Sequence, residues 1–245
     1  MSPDDPGLPQ LTTDDGCATI TLSRPHEHNR IDPADVSEMM RHLDRVQTDP
    51  ASRVLVLTGQ GERSFSSGYT LGAIRAQRDN SLEQLIDRIE LLALPTLCAL
   101  NGSVYGGACD LALACDFRIG VLGSRMYVPA ARFGLHYYPG GIRRYVARLG
   151  PTVAKRILLT GMPMTDADML RVGFLQDLVA PDLLASRVAD YVAALTQCEA
   201  GVIASMKRQI DALAAGDRDD SVGRSAYETS LKSEELARRL GAIGH

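Results

Sequence analysis

The segment Asn101-Gly-Ser-Val-Tyr-Gly-Gly-Ala-Cys-Asp-Leu-Ala-Leu-Ala-Cys-Asp116 carries chemistry most openly. An apolar run ends, Gly106 and Gly107 follow, and an Ala/Leu helix begins. Backbone N–H groups at a helix start have no partner inside the helix. Together with the helix dipole they favour negative charge. Glycines there let a ligand come close to the backbone. The same glycines would serve equally for tight packing of a strand on a helix, and both readings stand. The spacing matches neither GxGxxG nor a P-loop, so a dinucleotide or triphosphate site is not indicated. Asp110 lies inside the apolar helix, where a carboxylate needs a partner or a purpose.

A second turn has the same grammar. Ser64-Phe-Ser-Ser-Gly-Tyr-Thr-Leu71 follows the apolar run 53–58 and offers amides around Gly68 and Tyr69. Two strand-end turns from one sheet could aim their N–H groups at a single oxygen, which is what an oxyanion hole requires.

The elements that must hold these turns follow from period and punctuation. Residues 1–15 read as a loose leader, and Cys17–Leu22 as a β-branched strand. Asp32-Pro33 caps a helix whose Val36, Met39, Met40, Leu43 and Val46 keep a 3.6-residue period, and Asp49-Pro50 stops it. Arg53–Thr58 is a continuous apolar run, as in a strand covered on both faces. Leu82–Leu94 is helical in pattern up to Pro95, Thr96–Leu100 is a buried strand, Gly107–Ala114 a helix and Phe117–Val121 a strand. Such alternation indicates parallel βα units. From about Leu149 helical patterns dominate, apart from a short strand near Leu175–Val179. No internal repeat is clear.

Composition bounds the function. With 26 basic and 30 acidic residues the chain lacks the basic surface that general nucleic-acid binding needs, although local basic spots can still hold a phosphate. Cys17, Cys98, Cys109, Cys115 and Cys198 are odd in number and show no CxxC spacing, which reads as reduced, buried thiols rather than a metal or redox site. The start, MSPDDPGLPQ, has neither the basic nor the apolar region of a signal peptide. The longest apolar stretch, Leu91–Leu100, contains Pro95 and is too short to span a bilayer. A soluble cytoplasmic protein with no membrane partner is expected.

Four segments in order resemble the crotonase superfamily, also called the enoyl-CoA hydratase/isomerase family: ITLSRPHEHNRID, VLVLTGQGERSFSSGYTL, PTLCALNGSVYGGACDLALACDFRIG and LLTGMPMTDADMLRVGFLQDLV. The resemblance runs from about Thr19 to the C-terminus. It implies an α/β fold, a spiral of ββα units (residues 1–190) followed by a helical oligomerisation region (191–245), with trimers and hexamers. It implies an acyl-CoA substrate, coenzyme A arriving as part of that substrate, and no metal or other cofactor. The N–H groups of Tyr69 and Gly107 correspond to the family's oxyanion hole, each donor worth roughly 3 kcal/mol. Asp110 stands where the hydratases have the first of two glutamates that act as acid and base, so the resemblance makes it the catalytic acid/base, its carboxylate drawn back by roughly 1.5 Å. The second glutamate's place in the family's Pro-Glu pair is taken by Ala130, after Pro129.

Tyr137, within His136-Tyr137-Tyr138, is then the auxiliary proton donor, a pattern similar to methylmalonyl-CoA decarboxylase-like members. Decarboxylation of a malonyl-type thioester is therefore an alternative to hydratase or isomerase chemistry, since it needs only enolate stabilisation and a later proton. A catalytically silent acyl-CoA-binding or assembly module is another. Arg24, His26, His28 and Arg30 occupy the family's coenzyme A loop, and either ligand contact or a solvated turn explains them. Ser66, Gly68, Thr70, Leu71, Gly106, Pro129, Ala130 and His136 complete the expected substrate surface. Arg143 and Arg144 are expected to be solvated or paired across subunits, and Asp116 to be structural.

Overall fold

Two sheets organise the protein, whose computed structural model describes residues 7–72 and 80–243. The larger has the order β1 (Gln10–Asp14), β2 (Cys17–Leu22), β3 (Val54–Gly59), β5 (Thr96–Leu100), β7 (Phe117–Val121) and β10 (Asp177–Val179). β1 is antiparallel to β2 and every later pair is parallel. The smaller sheet sets β4 (Ser64–Ser66), β6 (Ser103–Tyr105) and β8 (Arg125–Tyr127) in parallel, with β9 (Met164–Thr165) antiparallel beside β8.

The chain steps between the sheets in a fixed rhythm. β3 and β4 are followed by α2 (Ser81–Glu90), β5 and β6 by α3 (Gly107–Ala114), and β7 and β8 by α4 (Pro139–Thr160). Ahead of them α1 (Pro33–Thr48) follows β2. These are turns of a ββα spiral. The repeat is silent in the sequence because its inner strands are three residues long and carry no periodicity.

Apolar content places the layers. On β3, Leu55 and Leu57 face the main core with α1, α2 and α3, while Val54 and Val56 face a second cluster under α6 (Leu184–Gln197). Both faces are covered, so the strand reads as an unbroken apolar run. α1 buries Val36, Met39, Leu43 and Val46. Its start is fixed by a capping box between Asp32 and Asp35, with Pro33 in the first turn. The remaining helices are α5 (Asp166–Arg171), α7 (Ala200–Ala214), α8 (Ser221–Ser230) and α9 (Glu234–Ile243). Lys207 of α7 anchors that end by pairing with Asp116 at 2.7 Å and bonding the Leu94 carbonyl at 3.2 Å. Asp116 also accepts from the Thr96 amide at 2.8 Å, which bears out its structural role.

Some expectations change. Of the leader, residues 1–6 lie outside the described residues, but 10–14 form β1, paired across an Asp15-Gly16 turn whose φ values are 42° and 79°. Its side chains are mostly exposed, as in an edge strand, so no apolar signal marked it. α2 stops at Glu90 rather than Leu94, consistent with the bias of a residue before proline against helix. The helical part begins at Pro139, ahead of Leu149. Cys98, Cys109 and Cys115 are buried, but Cys17 is only half-buried and Cys198 is exposed; all five are free thiols.

Candidate active site

Because β4, β6 and β8 are parallel neighbours, their C-terminal ends leave one edge together. The turns after them converge on a cavity of about 500 Å³, whose wall includes Ser67, Tyr69, Gly106, Gly107, Pro129 and Ala130. Gly68 shows how near the first two turns come. At its φ of 91° a side chain is strained, and a Cβ would stand 2.6 Å from the Tyr105 carbonyl oxygen and 3.3 Å from the Gly107 nitrogen. A Cβ on Gly107 would lie 3.9 Å from that of Tyr69. The backbones of Tyr69 and Gly107 are thus neighbours at the cavity.

The protein uses the adjoining amides itself. Gly68 N–H donates to Ser66 Oγ at 3.0 Å, Thr70 N–H to the Ile31 carbonyl at 3.0 Å, and Gly106 N–H to the Tyr127 carbonyl at 2.8 Å. Ser66, fully buried, donates in turn to the Asn29 carbonyl at 2.7 Å. Ser66, Gly68 and Thr70 are thus tied into the turn, and none of the three is among the residues lining the cavity, where the sequence had placed them. The strand ends there, and backbone carbonyls of the loop before α1 together with the Ser66 side chain brace the turn. Gly107 differs, as the first residue of α3, where helix geometry supplies no acceptor.

Asp110 needs the firmest correction. Its carboxylate is fully buried, behind the cavity wall instead of on it. Arg144, also at 0% exposure, donates to Asp110 Oδ2 at 2.7 Å, and the Tyr138 hydroxyl donates to the same oxygen. Arg144 further contacts Asp87 at 2.6 Å and Glu90 at 3.1 Å, and Arg143 pairs with Glu90 at 2.7 Å. Of the two arginines expected to be solvated or paired across subunits, Arg143 is exposed while pairing with Glu90, and Arg144 is instead buried and paired within the chain. Burial pushes the Asp110 carboxyl above the ordinary aspartate range, and Arg144 and Tyr138 pull it only partly back. Burial acts the same way on Glu90, but there Arg144 and Arg143 win and hold it below the usual range.

Tyr137 lines the cavity as expected. Its ring stacks on Tyr138 at 4.9 Å and meets Tyr145 edge-on at 5.8 Å, and its hydroxyl is buried. Burial, then Tyr145 and Asp110, raise its pKa well above the phenol value. His136 and Leu71 do line the wall, with His136 Nδ1 2.6 Å from the Tyr137 carbonyl oxygen.

The basic loop divides. His26 and His28 line a second, polar cavity of about 290 Å³ with Gln60, Arg63 and Ser64. Arg24 instead binds Asp32 at 3.2 Å and Asp35, and Arg30 binds Asp32 at 2.9 Å and Glu27 at 2.8 Å. Their charge is taken up at the start of α1, because the capping acids sit within reach.

Tyr138, singled out only as part of His136-Tyr137-Tyr138, also lines the first cavity, and so does Glu83, which escaped the sequence reading. The signal for Glu83 was present: Glu83, Asp87 and Glu90 recur at i, i+4 and i+7, which puts three carboxylates on one face of α2. Among the described residues no group of His, Cys, Asp and Glu is placed to hold a metal ion, and no helix is long and apolar enough to cross a membrane.

Comparison with known proteins agrees with this geometry. The family model described as enoyl-CoA hydratase/isomerase matches residues 12–233. The crotonyl-CoA hydratase of Syntrophomonas wolfei is 30% identical over 185 residues, 73% of this chain and 71% of that protein. The carnitinyl-CoA dehydratase of Proteus mirabilis is 34% identical over 192 residues, 75% and 73% of the two chains. The solved structure of an enoyl-CoA hydratase from Shewanella pealeana superposes with a TM-score of 0.85 at 23% identity, covering 96% of this chain and 92% of that one.

Proposed function

This chain belongs to the enoyl-CoA hydratase/isomerase family of the crotonase superfamily, and from that premise we propose that it is a lyase or isomerase acting on an enoyl- or acyl-CoA thioester with an apolar acyl group. The observation that carries the reading is the meeting of the Tyr69 and Gly107 backbones at the cavity. A thioester oxygen seated between their N–H groups would gain charge as the enolate forms, and fixed donors favour that charged state over the neutral one. The acyl chain would lie against Leu71, Leu82, Val128, Phe133 and Leu135, an apolar wall. The nucleotide end of coenzyme A would sit by His26, His28 and Arg63 in the polar cavity. Coenzyme A then comes and goes with the substrate, and the chemistry asks for no further cofactor.

Asp110 acts in this reading through Tyr138, which reaches from the cavity wall to its carboxylate and is held there. Decarboxylation of a malonyl-type ester is less well served. Among the described residues lining the cavity there is a glutamate but no arginine or lysine to receive a second carboxylate. The exposed apolar side chains of α7 and α8, Met206, Ile210, Val222 and Tyr227, support self-association of the C-terminal helices into a trimer or hexamer.

Mass spectrometry of the purified protein with crotonyl-, 3-enoyl-, aromatic enoyl- and methylmalonyl-CoA tests the proposal. The expected result is a gain of water in an apolar enoyl-CoA, or its conversion to a double-bond isomer of the same mass that chromatography ahead of the spectrometer separates. Loss of CO₂ would install decarboxylation in its place, and binding without turnover would leave a silent module. Native mass spectra of the same sample count the subunits, and a monomer would remove that part of the proposal.

A further inference from the structure

The cavity holds a carboxylate that neither motif nor alignment pointed to. Among the described residues lining it, Glu83 is the only aspartate or glutamate. Asp110 is sealed at 0% exposure and Ala130 offers no acid. Glu83 follows Leu82, whose Cδ2 would stand 2.9 Å from a Cβ on Gly107, so this stretch of α2 runs beside the turn that opens α3. Its Oε1 would lie 3.4 Å from a Cβ on Gly140, in the first turn of the 22-residue α4. Behind it Asp87 pairs with Arg144, so the nearest buried arginine is already engaged and Glu83 is left facing the cavity.

We propose that Glu83 is the catalytic residue that takes and returns the substrate proton. The inference rests on the thioester reading above. The Glu83 carboxylate accepts a proton from the carbon next to the thioester. The C–H electron pair becomes the enolate, and one negative charge passes from Glu83 to the thioester oxygen beside Tyr69 and Gly107. Return of the proton from the Glu83 carboxylic acid to carbon reverses each change, so no second acid is required. One carboxylate suffices for exchange, and this accounts for a cavity in which the family's second glutamate position is Ala130.

The test is deuterium uptake at that carbon from D₂O, read by mass spectrometry on a saturated acyl-CoA, for wild type, Glu83→Gln, Glu83→Asp and Asp110→Asn, with binding and thermal unfolding measured alongside. Glu83→Gln is expected to slow exchange at least about 100-fold, with binding within about threefold and unfolding unchanged. Glu83→Asp is expected to keep part of the rate. Exchange in Glu83→Gln within about threefold of wild type would overturn the assignment. So would a folded Asp110→Asn that loses exchange while Glu83→Gln retains it. If wild type neither binds nor exchanges any acyl-CoA, the thioester reading fails and takes this one with it. If wild type exchanges and Glu83→Gln does too, only Glu83 falls.

Discussion

Arg144 is a guanidinium without solvent contact, surrounded by Asp87, Glu90 and Asp110. Burial disfavours its charge, but Asp110 and Glu90 more than offset that and raise its pKa further. Removing one member of a buried ion cluster leaves the others uncompensated, which typically costs about 3–5 kcal/mol. Arg144→Met is therefore expected to lower unfolding stability by about that amount, against a total of about 5–15 kcal/mol for a natural domain. Urea denaturation at neutral pH checks it, and a loss below about 1 kcal/mol would mean that the cluster relaxes or floods. Sequence showed that Asp110 needed a partner, since an ionised group in an apolar helix must be answered. It did not show which one, because Arg144 lies 34 residues away and the contact exists only after α3 and α4 pack. For the same reason Asp110 looked like a group facing substrate, while Glu83, on an ordinary amphipathic helix, drew no reading at all.

Elements with strong local signals were legible. β2, α1, β3, β5, α3 and β7 stand where period, caps and proline put them. The inner strands β4, β6 and β8 were not, although they position the site. Three residues are too few to show alternation, and their existence depends on one another. The turn after β4 makes this dependence testable. Gly68→Ala would place a methyl 2.6 Å from the Tyr105 carbonyl oxygen at a strained φ, a conformation costing about 1–3 kcal/mol. Turnover, if the Tyr69 and Gly107 amides hold the thioester oxygen, is expected to fall by more than about tenfold as they separate. Steady-state kinetics on the substrate found in the acyl-CoA screen reads the effect. Unchanged kcat with unchanged stability would argue that the turn has slack.

At the scale of the whole molecule, acid stability follows from how the ion cluster divides. The folded-state pKa of Glu90 is below its unfolded value, so its contribution is present above the ordinary glutamate range and is lost as pH falls through the folded value. Asp110 runs oppositely: burial raises its folded pKa, so its contribution is present at low pH and is lost as pH rises through that raised value. Stability from Glu90 is expected to fall as pH drops below the ordinary glutamate range in wild type, and Glu90→Gln to be less stable at neutral pH with a shallower acid decline. Urea midpoints at a series of pH values measure both, and an equally steep decline in the variant would assign the acid sensitivity to other carboxylates.

From period and punctuation alone the spiral was readable only as alternating strands and helices, because its repeats share geometry rather than residues; the family resemblance is what implied it. One feature of α4 bears on how the spiral meets its C-terminal helices. Gly150, at φ 78° and ψ 160°, interrupts the helix just before Pro151. The half before the joint carries Arg143, Arg144 and Arg148; the half after it packs Ala154 and Ile157 into the core. The break at Gly150 ends one run of helical geometry and Pro151 opens the next, so the second half takes its direction from its own packing of Ala154 and Ile157 instead of continuing the axis that holds Arg144 against Asp110.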